Sequence, residues 1–297
     1  MKKGAFFVIV SAVIFGSTPI LARLAYDEGA NAVTMVFLRA ALALPFLFMV
    51  MKIRKIPFTT SLTEVRDLFL AGLGAAVTTI LIYSSYNYIP VGKAMALQFI
   101  YPTLVSLGCV VFYREKLTKF VLAALVLSTV GVFLFSDNLS FESMNNGGST
   151  GFLLAVSAGF SYAFYIVRVD KSSLRRIPAP KITFAVCLVA ALCSGIYGGL
   201  GFGGGLALEL SPRGWAYAWI VALSVSLVAV TFLQLGIKHT GATTAAILST
   251  FEPITSVFFG AFFLGENLSF LKLIGCACII VGVIIVTVGG SKNEAKD

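Results

Sequence analysis

The residues with chemistry to offer are few, and they sit where polar chemistry is costly. Glu252 lies near the middle of the apolar run 243–264, between Ser249 and Pro253. A carboxylate at mid-membrane depth costs at least about 2.5 kcal/mol to insert, so it is expected to face a cavity or a partner. Pro253 lacks an N–H and should free the carbonyl of Ser249, one turn back. Arg39 is the one basic residue well inside an apolar span and not at its end. At ~1.5 Å per residue it lies ~12 Å below one face, with Glu252 ~15 Å above the other. In an apolar core ~30 Å thick those depths nearly coincide. Two readings of Glu252 follow: an ion pair with Arg39, or direct coupling or substrate handling, binding a proton or a cationic group. Metal ligation is not expected. The five cysteines (Cys109, Cys187, Cys193, Cys276, Cys278) are odd in number and match no zinc spacing, so they read as small packing residues.

Residues three, four or seven apart share a helix face, which extends the candidate site to a polar and aromatic lining. The expected substrate-binding residues are Phe15, Thr18, Thr79, Tyr83, Gln98, Tyr101, Ser161, Tyr165, Thr231, Ser249 and Glu252. Tyr86 and Phe160 are weaker candidates for the aromatic wall, Tyr86 also suiting an interfacial anchor. Gly16, Pro19, Pro102 and Pro253 are the expected hinges, with Pro45 a further bending point. His239, beside Lys238 at a helix end, reads as a solvated loop residue. The glycines between Gly198 and Gly205 lack a following Lys-Ser/Thr and form an outer loop, not a phosphate cradle.

The elements that must position these residues are membrane helices. Of 297 residues, 58% are apolar and only 12% charged, against about 25% charged in a soluble domain. Apolar runs of about 20 residues recur ten times: 4–24, 31–51, 68–88, 94–113, 119–136, 151–168, 181–200, 215–236, 242–264 and 271–289. The first is read as a retained span, because its apolar stretch outlasts a signal-peptide core and leads straight into further spans. The net charge of +9 is an orientation signal and excludes a nucleic-acid site. Seventeen of the 22 Lys and Arg fall on one side of a ten-span topology, four on the other, and Arg39 within a span. That bias places both termini in the cytoplasm of a multi-pass inner or plasma membrane protein.

Shifting the sequence by 151 residues superposes its halves. Pro102 falls on Pro253, Phe112 on Phe263, Glu115 on Glu266, Leu117 on Leu268, and Val130-Gly131-Val132 on Val281-Gly282-Val283. Five spans per half, an odd number, turn the second half upside down. The expected fold is therefore an all-α integral membrane protein of ten transmembrane helices in two inverted-topology repeats. Residues 1–136 form the first, 137–150 an outer linker, 151–290 the second and 291–297 a short tail. Such repeats characterise secondary transporters with a midplane site. Spans 1, 3, 4, 6, 8 and 9 carry the polar faces; spans 5 and 10 read as outer helices. A lipid-modifying membrane enzyme would need paired acids or a histidine cluster, which this composition lacks. A non-transporting scaffold would not need a polar centre.

The sequence resembles the EamA-type family of the drug/metabolite transporter superfamily over essentially its whole length. The resemblance is carried by Phe15-Gly16-Ser17-Thr18-Pro19, Phe37-Leu38-Arg39-Ala40 and the repeated Pro…Glu pattern. The C-terminal copy, Glu252-Pro253 through Leu264-Gly265-Glu266-Asn267-Leu268, is close to the family's pattern. The N-terminal copy departs from it: Tyr101 replaces the acid, and Tyr113-Arg114 stands where Leu-Gly is common. The resemblance implies a carrier for small metabolites, commonly an exporter of amino acids or related compounds. With no ATP-binding motif and no cofactor expected, energy would come from a proton gradient or substrate exchange. The expected partners are a small-molecule substrate and the lipid bilayer, with the protein a monomer or homodimer. The asymmetry between an acidic and an aromatic wall points to a cargo with an amino group and an apolar body.

Overall fold

The structure, a computed structural model, describes residues 2–134, 148–264 and 269–294. Glu266, most of the expected linker and the last three residues lie outside the described residues. Among the described residues every regular element is helical. Nine stretches are long and apolar enough to cross a membrane, and Lys119–Leu134 is a shorter tenth.

The chain runs through α1 (Lys2–Gly16), α2 (Thr18–Asp27), α3 (Ala32–Ala41), α4 (Leu44–Ile53), α5 (Leu62–Ser85), α6 (Val91–Gln98), α7 (Tyr101–Tyr113) and α8 (Lys119–Leu134). It continues through α9 (Gly148–Lys171), α10 (Ala179–Gly199), α11 (Pro212–Val221), α12 (Val230–Thr240), α13 (Ala242–Ser249), α14 (Phe251–Leu264) and α15 (Phe270–Glu294). A π-helical stretch, Ala222–Ala229, joins α11 to α12. The 52–67 connection is shorter than the sequence suggests. A capping box starts α5 early: Ser61 Oγ accepts from Glu64 N at 3.3 Å, and the Glu64 carboxylate accepts from Ser61 N at 3.1 Å.

Among the described residues four spans are broken in mid-course, and each break has a proline just beyond it. Pro19, Pro45 and Pro102 occupy the first turns of α2, α4 and α7, and Pro253 is the third residue of α14. In a first turn the missing proline N–H forfeits no intrahelical bond, so proline ends one half-helix and starts the next cheaply. Irregular backbone at membrane depth is tolerated only where protein or a cavity surrounds it. Three of the four breaks meet at such a place, described below.

Small residues let the helices approach. Ala71, Ala124, Ala155, Ala158, Ala245 and Ala246 are fully buried, as expected where helices associate by close packing rather than by escape from water. Gly16 is the tightest case at the centre: a Cβ there would lie 2.6 Å from Thr255 Cβ and 2.7 Å from the Glu252 carbonyl oxygen. The expected outer helices, α8 and α15, pack along each other, with Gly131 against Gly275 and Gly282 against Ser128. At one end of the bundle Lys181 Nζ donates to the Thr59 carbonyl at 2.7 Å. At the other, Asn31 donates to the Gly205 carbonyl at 2.9 Å, and the Ala207 N–H donates to Thr34 Oγ1 at 2.8 Å. These are the Asp67 end and the Glu28 end.

Candidate functional site

The α1–α2, α6–α7 and α13–α14 breaks border one cavity, with about 850 Å³ of space not filled by atoms. Eight of the eleven expected binding residues line it: Phe15, Thr18, Thr79, Tyr83, Gln98, Tyr101, Tyr165 and Glu252, joined by Arg39. The broken helices explain the gathering. An interrupted helix turns residues on both sides of the break toward the same space, so Phe15 and Thr18, or Gln98 and Tyr101, reach one wall.

Ser161, Thr231 and Ser249 are not on that wall, because each hydroxyl is engaged elsewhere. Ser161 Oγ donates to the Gly74 carbonyl of α5 at 2.8 Å. Ser249 Oγ donates to the Ala245 carbonyl one turn back at 2.9 Å. Thr231 donates to the Leu227 carbonyl at 2.6 Å and meets Thr183 Oγ1 at 3.0 Å. Thr183 in turn donates to Gln234 Oε1 at 2.9 Å, and Gln234 Nε2 donates to the Tyr165 hydroxyl at 3.0 Å. Thr231 thus sits behind the wall, in a buried chain of polar groups that orients Tyr165.

Phe160 is 56% exposed and belongs to the outer face of α9. The inward face is rotated by about one residue from the serine-based expectation. It carries Ala155, Ala158, Tyr162, Tyr165 and Val169. Tyr162 is therefore a lining residue that polarity missed; its one available signal is its position three residues before Tyr165. Its ring meets Tyr101 edge-on at 4.7 Å and stacks on Tyr165 at 5.9 Å. Tyr83 and Tyr86 form a second aromatic pair, 5.6 Å apart.

The polar character of the cavity lies in unfilled hydrogen-bonding capacity. The Thr18 and Tyr83 hydroxyls and Arg39 Nε are buried without a protein partner. Arg39 Nη2 donates to Thr79 Oγ1 at 3.1 Å. Among the described residues Arg39 and Glu252 form no ion pair, although both line the same space. The cavity thus offers a cation, a carboxyl group and free hydroxyls against a wall of tyrosine and phenylalanine. Such groups can bind a small molecule carrying both charges. Leaving a buried polar group unpaired costs about 1–3 kcal/mol, so a ligand that satisfies them recovers that cost.

Toward the Glu28 end a second chamber adjoins the first, with about 1350 Å³ of unfilled space and Arg23, Tyr26, Asn87 and Lys272 among its lining. Toward the Asp67 end the helices pack tightly: Ile166, Val169, Ile247 and Leu248 have no exposed surface and belong to one apolar cluster. Around it a polar network ties the first half of the chain to the second. Asp67 Oδ1 accepts from Arg168 Nη2 at 2.7 Å, and Asp67 Oδ2 accepts from the Ser173 N–H at 3.1 Å and the Ser173 hydroxyl at 2.8 Å. Glu115 pairs with Lys171, and Asp170 Oδ2 accepts from the Ala242 N–H at 3.1 Å. No span in the sequence marks this network, because its members come from helix ends and loops.

Comparison with known proteins places these features in context. Residues 2–137 and 149–288 each match the sequence model of the EamA-like transporter family. An uncharacterized transporter, YcbK of Bacillus subtilis, is 26% identical, the match covering 99% of this chain and 94% of the relative. The threonine/homoserine exporter RhtA of Escherichia coli (strain K12) is 30% identical over 67% of this chain and 63% of its own length. A crystal structure of a protein with 15% sequence identity has the same fold, with a TM-score of 0.80 over 99% of both chains.

Proposed function

The chain belongs to the EamA-like transporter family, and on that premise we propose that it is a secondary transporter exporting a small amino acid or a related zwitterion. In this reading the two repeats, 1–136 and 151–290, have opposite topology and rock against each other around the cavity. Both termini are cytoplasmic, so the tightly packed Asp67 end faces the cytoplasm and the second chamber faces out. Gly16, Pro19, Pro102 and Pro253 serve as hinges at the three breaks bordering the site.

One observation carries the substrate class: Arg39 and Glu252 line the same cavity without neutralising each other. Arg39 takes the cargo's carboxylate, with Thr79 holding the guanidinium. Glu252 takes the ammonium group, and in the empty carrier a proton. Phe15, Tyr83, Tyr101 and Tyr165 contact the apolar body, while Thr18 and Gln98 supply further hydrogen bonds. RhtA, the threonine/homoserine exporter to which the chain is similar, handles cargo of the same class, which supports the reading.

The test is uptake of radiolabelled threonine, homoserine and phenylalanine into proteoliposomes containing the purified protein, against a matched amine and a matched carboxylic acid. Amino-acid uptake should exceed both single-charge analogues. Glu252→Gln should remove the pH dependence of transport, and Arg39→Gln the preference over the amine. Equal handling of amine, acid and amino acid would end the zwitterion reading.

A further inference from the structure

The two chambers touch through a small set of shared residues. Pro19, Tyr86, Met95 and Phe99 line both the central cavity and the outer chamber. From this we infer that Tyr86, Met95 and Phe99 form a movable partition between the two chambers, and that its aperture sets the cross-section of cargo that can pass. The inference rests on the transport reading for the cargo, but the partition itself is a property of the walls.

Three observations support it. The Tyr86 hydroxyl donates to Met95 Sδ at 3.2 Å, bridging the end of α5 to the short helix α6. Both of its members line both chambers, so the bond belongs to their shared wall. Phe99, only 4% exposed, sits in the α6–α7 break with its ring 5.4 Å from that of Tyr101. Finally, the shared residues lie at helix ends or in a short helix. Tyr86 caps α5, Met95 lies in an eight-residue helix, Phe99 caps that helix, and Pro19 is in the first turn of α2.

The chemistry suits a filter. A thioether is a weak acceptor on a flexible, unbranched chain, so the Tyr86–Met95 link breaks easily and Met95 can adopt other rotamers. A narrow cargo needs only that link to open. A cargo with a broad aromatic body needs Phe99 to move as well, which disturbs its buried packing against Tyr101.

The partition can be tested without knowing the cargo. Thr78 lines the central cavity, and its hydroxyl donates only to its own helix, at Gly74. Thr78→Cys therefore places a near-isosteric reporter beyond the partition. In the full-length reconstituted protein, its modification by a small ethylammonium methanethiosulfonate and by a biphenyl-sized methanethiosulfonate is followed from the outer-chamber side. The rate seen without the reporter cysteine is subtracted. With Tyr86 intact, the small reagent should react at least about tenfold faster, a ratio equivalent to ~1.4 kcal/mol of barrier. Tyr86→Phe, which removes only the hydroxyl, should speed both reagents alike, by no more than about fivefold, as loss of one net hydrogen bond implies. Tyr86→Ala should bring the two rates together. A small-to-bulky ratio unchanged in Tyr86→Ala overturns the partition. If the ratio follows the aperture while no amino acid moves in proteoliposomes, the partition stands and the transport reading fails.

Discussion

Replacing Asp67 by Asn should loosen the tightly packed end while leaving the rest of the bundle in place. The Asp67 side chain is 4% exposed and that of Arg168 is 23% exposed, so the pair at 2.7 Å is poorly screened. Asp67 also accepts two hydrogen bonds from Ser173. Asparagine keeps one acceptor and turns the other oxygen into a donor, which must then face either the Arg168 guanidinium or the Ser173 donors. Hydrogen bonds to charged groups are worth about 1.5–3 kcal/mol, and breaking a fully buried pair costs about 3–5 kcal/mol. Because Arg168 keeps partial contact with solvent, about 2–3 kcal/mol is expected, equivalent to a ~30–150-fold change in the local opening constant. Amide hydrogen exchange of residues 167–177 measures that constant directly, since the Ser173 N–H is one of the groups released. The 205–211 segment, at the opposite end, serves as the internal reference. Exchange near Ser173 should quicken by that factor with the reference unchanged. A rise of less than about threefold, or an equal rise at both ends, would refute the assignment of Asp67 as a local clamp.

Three further outcomes are expected. Glu115→Gln breaks the pair with Lys171 while Lys171 keeps Asp170 at 3.0 Å; the Glu115 side chain is 36% exposed, so the effect is smaller, about 1 kcal/mol in the same exchange measurement, and weaker still at high salt. Gly16→Ala forces a methyl group against Thr255 and the Glu252 carbonyl; an overpacking cost of about 1–3 kcal/mol should lower the thermal midpoint in detergent, and Gly16→Ser should lower it further. Tyr165→Phe strands the Gln234 amide, which is fully buried and donates to the Tyr165 hydroxyl. It should cost about 1–3 kcal/mol by thermal unfolding, and the added change Gln234→Leu should restore part of the loss.

Much of this protein can be read without coordinates. Apolar run length sets the number of membrane helices, because a bilayer of fixed thickness imposes that length on every span. Pro19, Pro45, Pro102 and Pro253 mark the chain breaks, since proline carries its restriction wherever it stands. The cost of a charge in an apolar run singles out Glu252 and Arg39 whatever surrounds them. Neither the inward face of α9 nor the tightly packed end is legible in this way. Serine and threonine can satisfy themselves on a backbone carbonyl, as Ser161, Thr231 and Ser249 do, so polarity alone placed the α9 face one residue out and overlooked Tyr162. The Asp67–Arg168 pair joins residues 101 positions apart, and the Tyr86–Met95 link depends on how the end of α5 meets α6. The sequence determined which residues are costly to bury. Only the tertiary structure decided which of them share a cavity, which pair at its tightly packed end and which divide one chamber from the next, because those relations arise between helices and not along them.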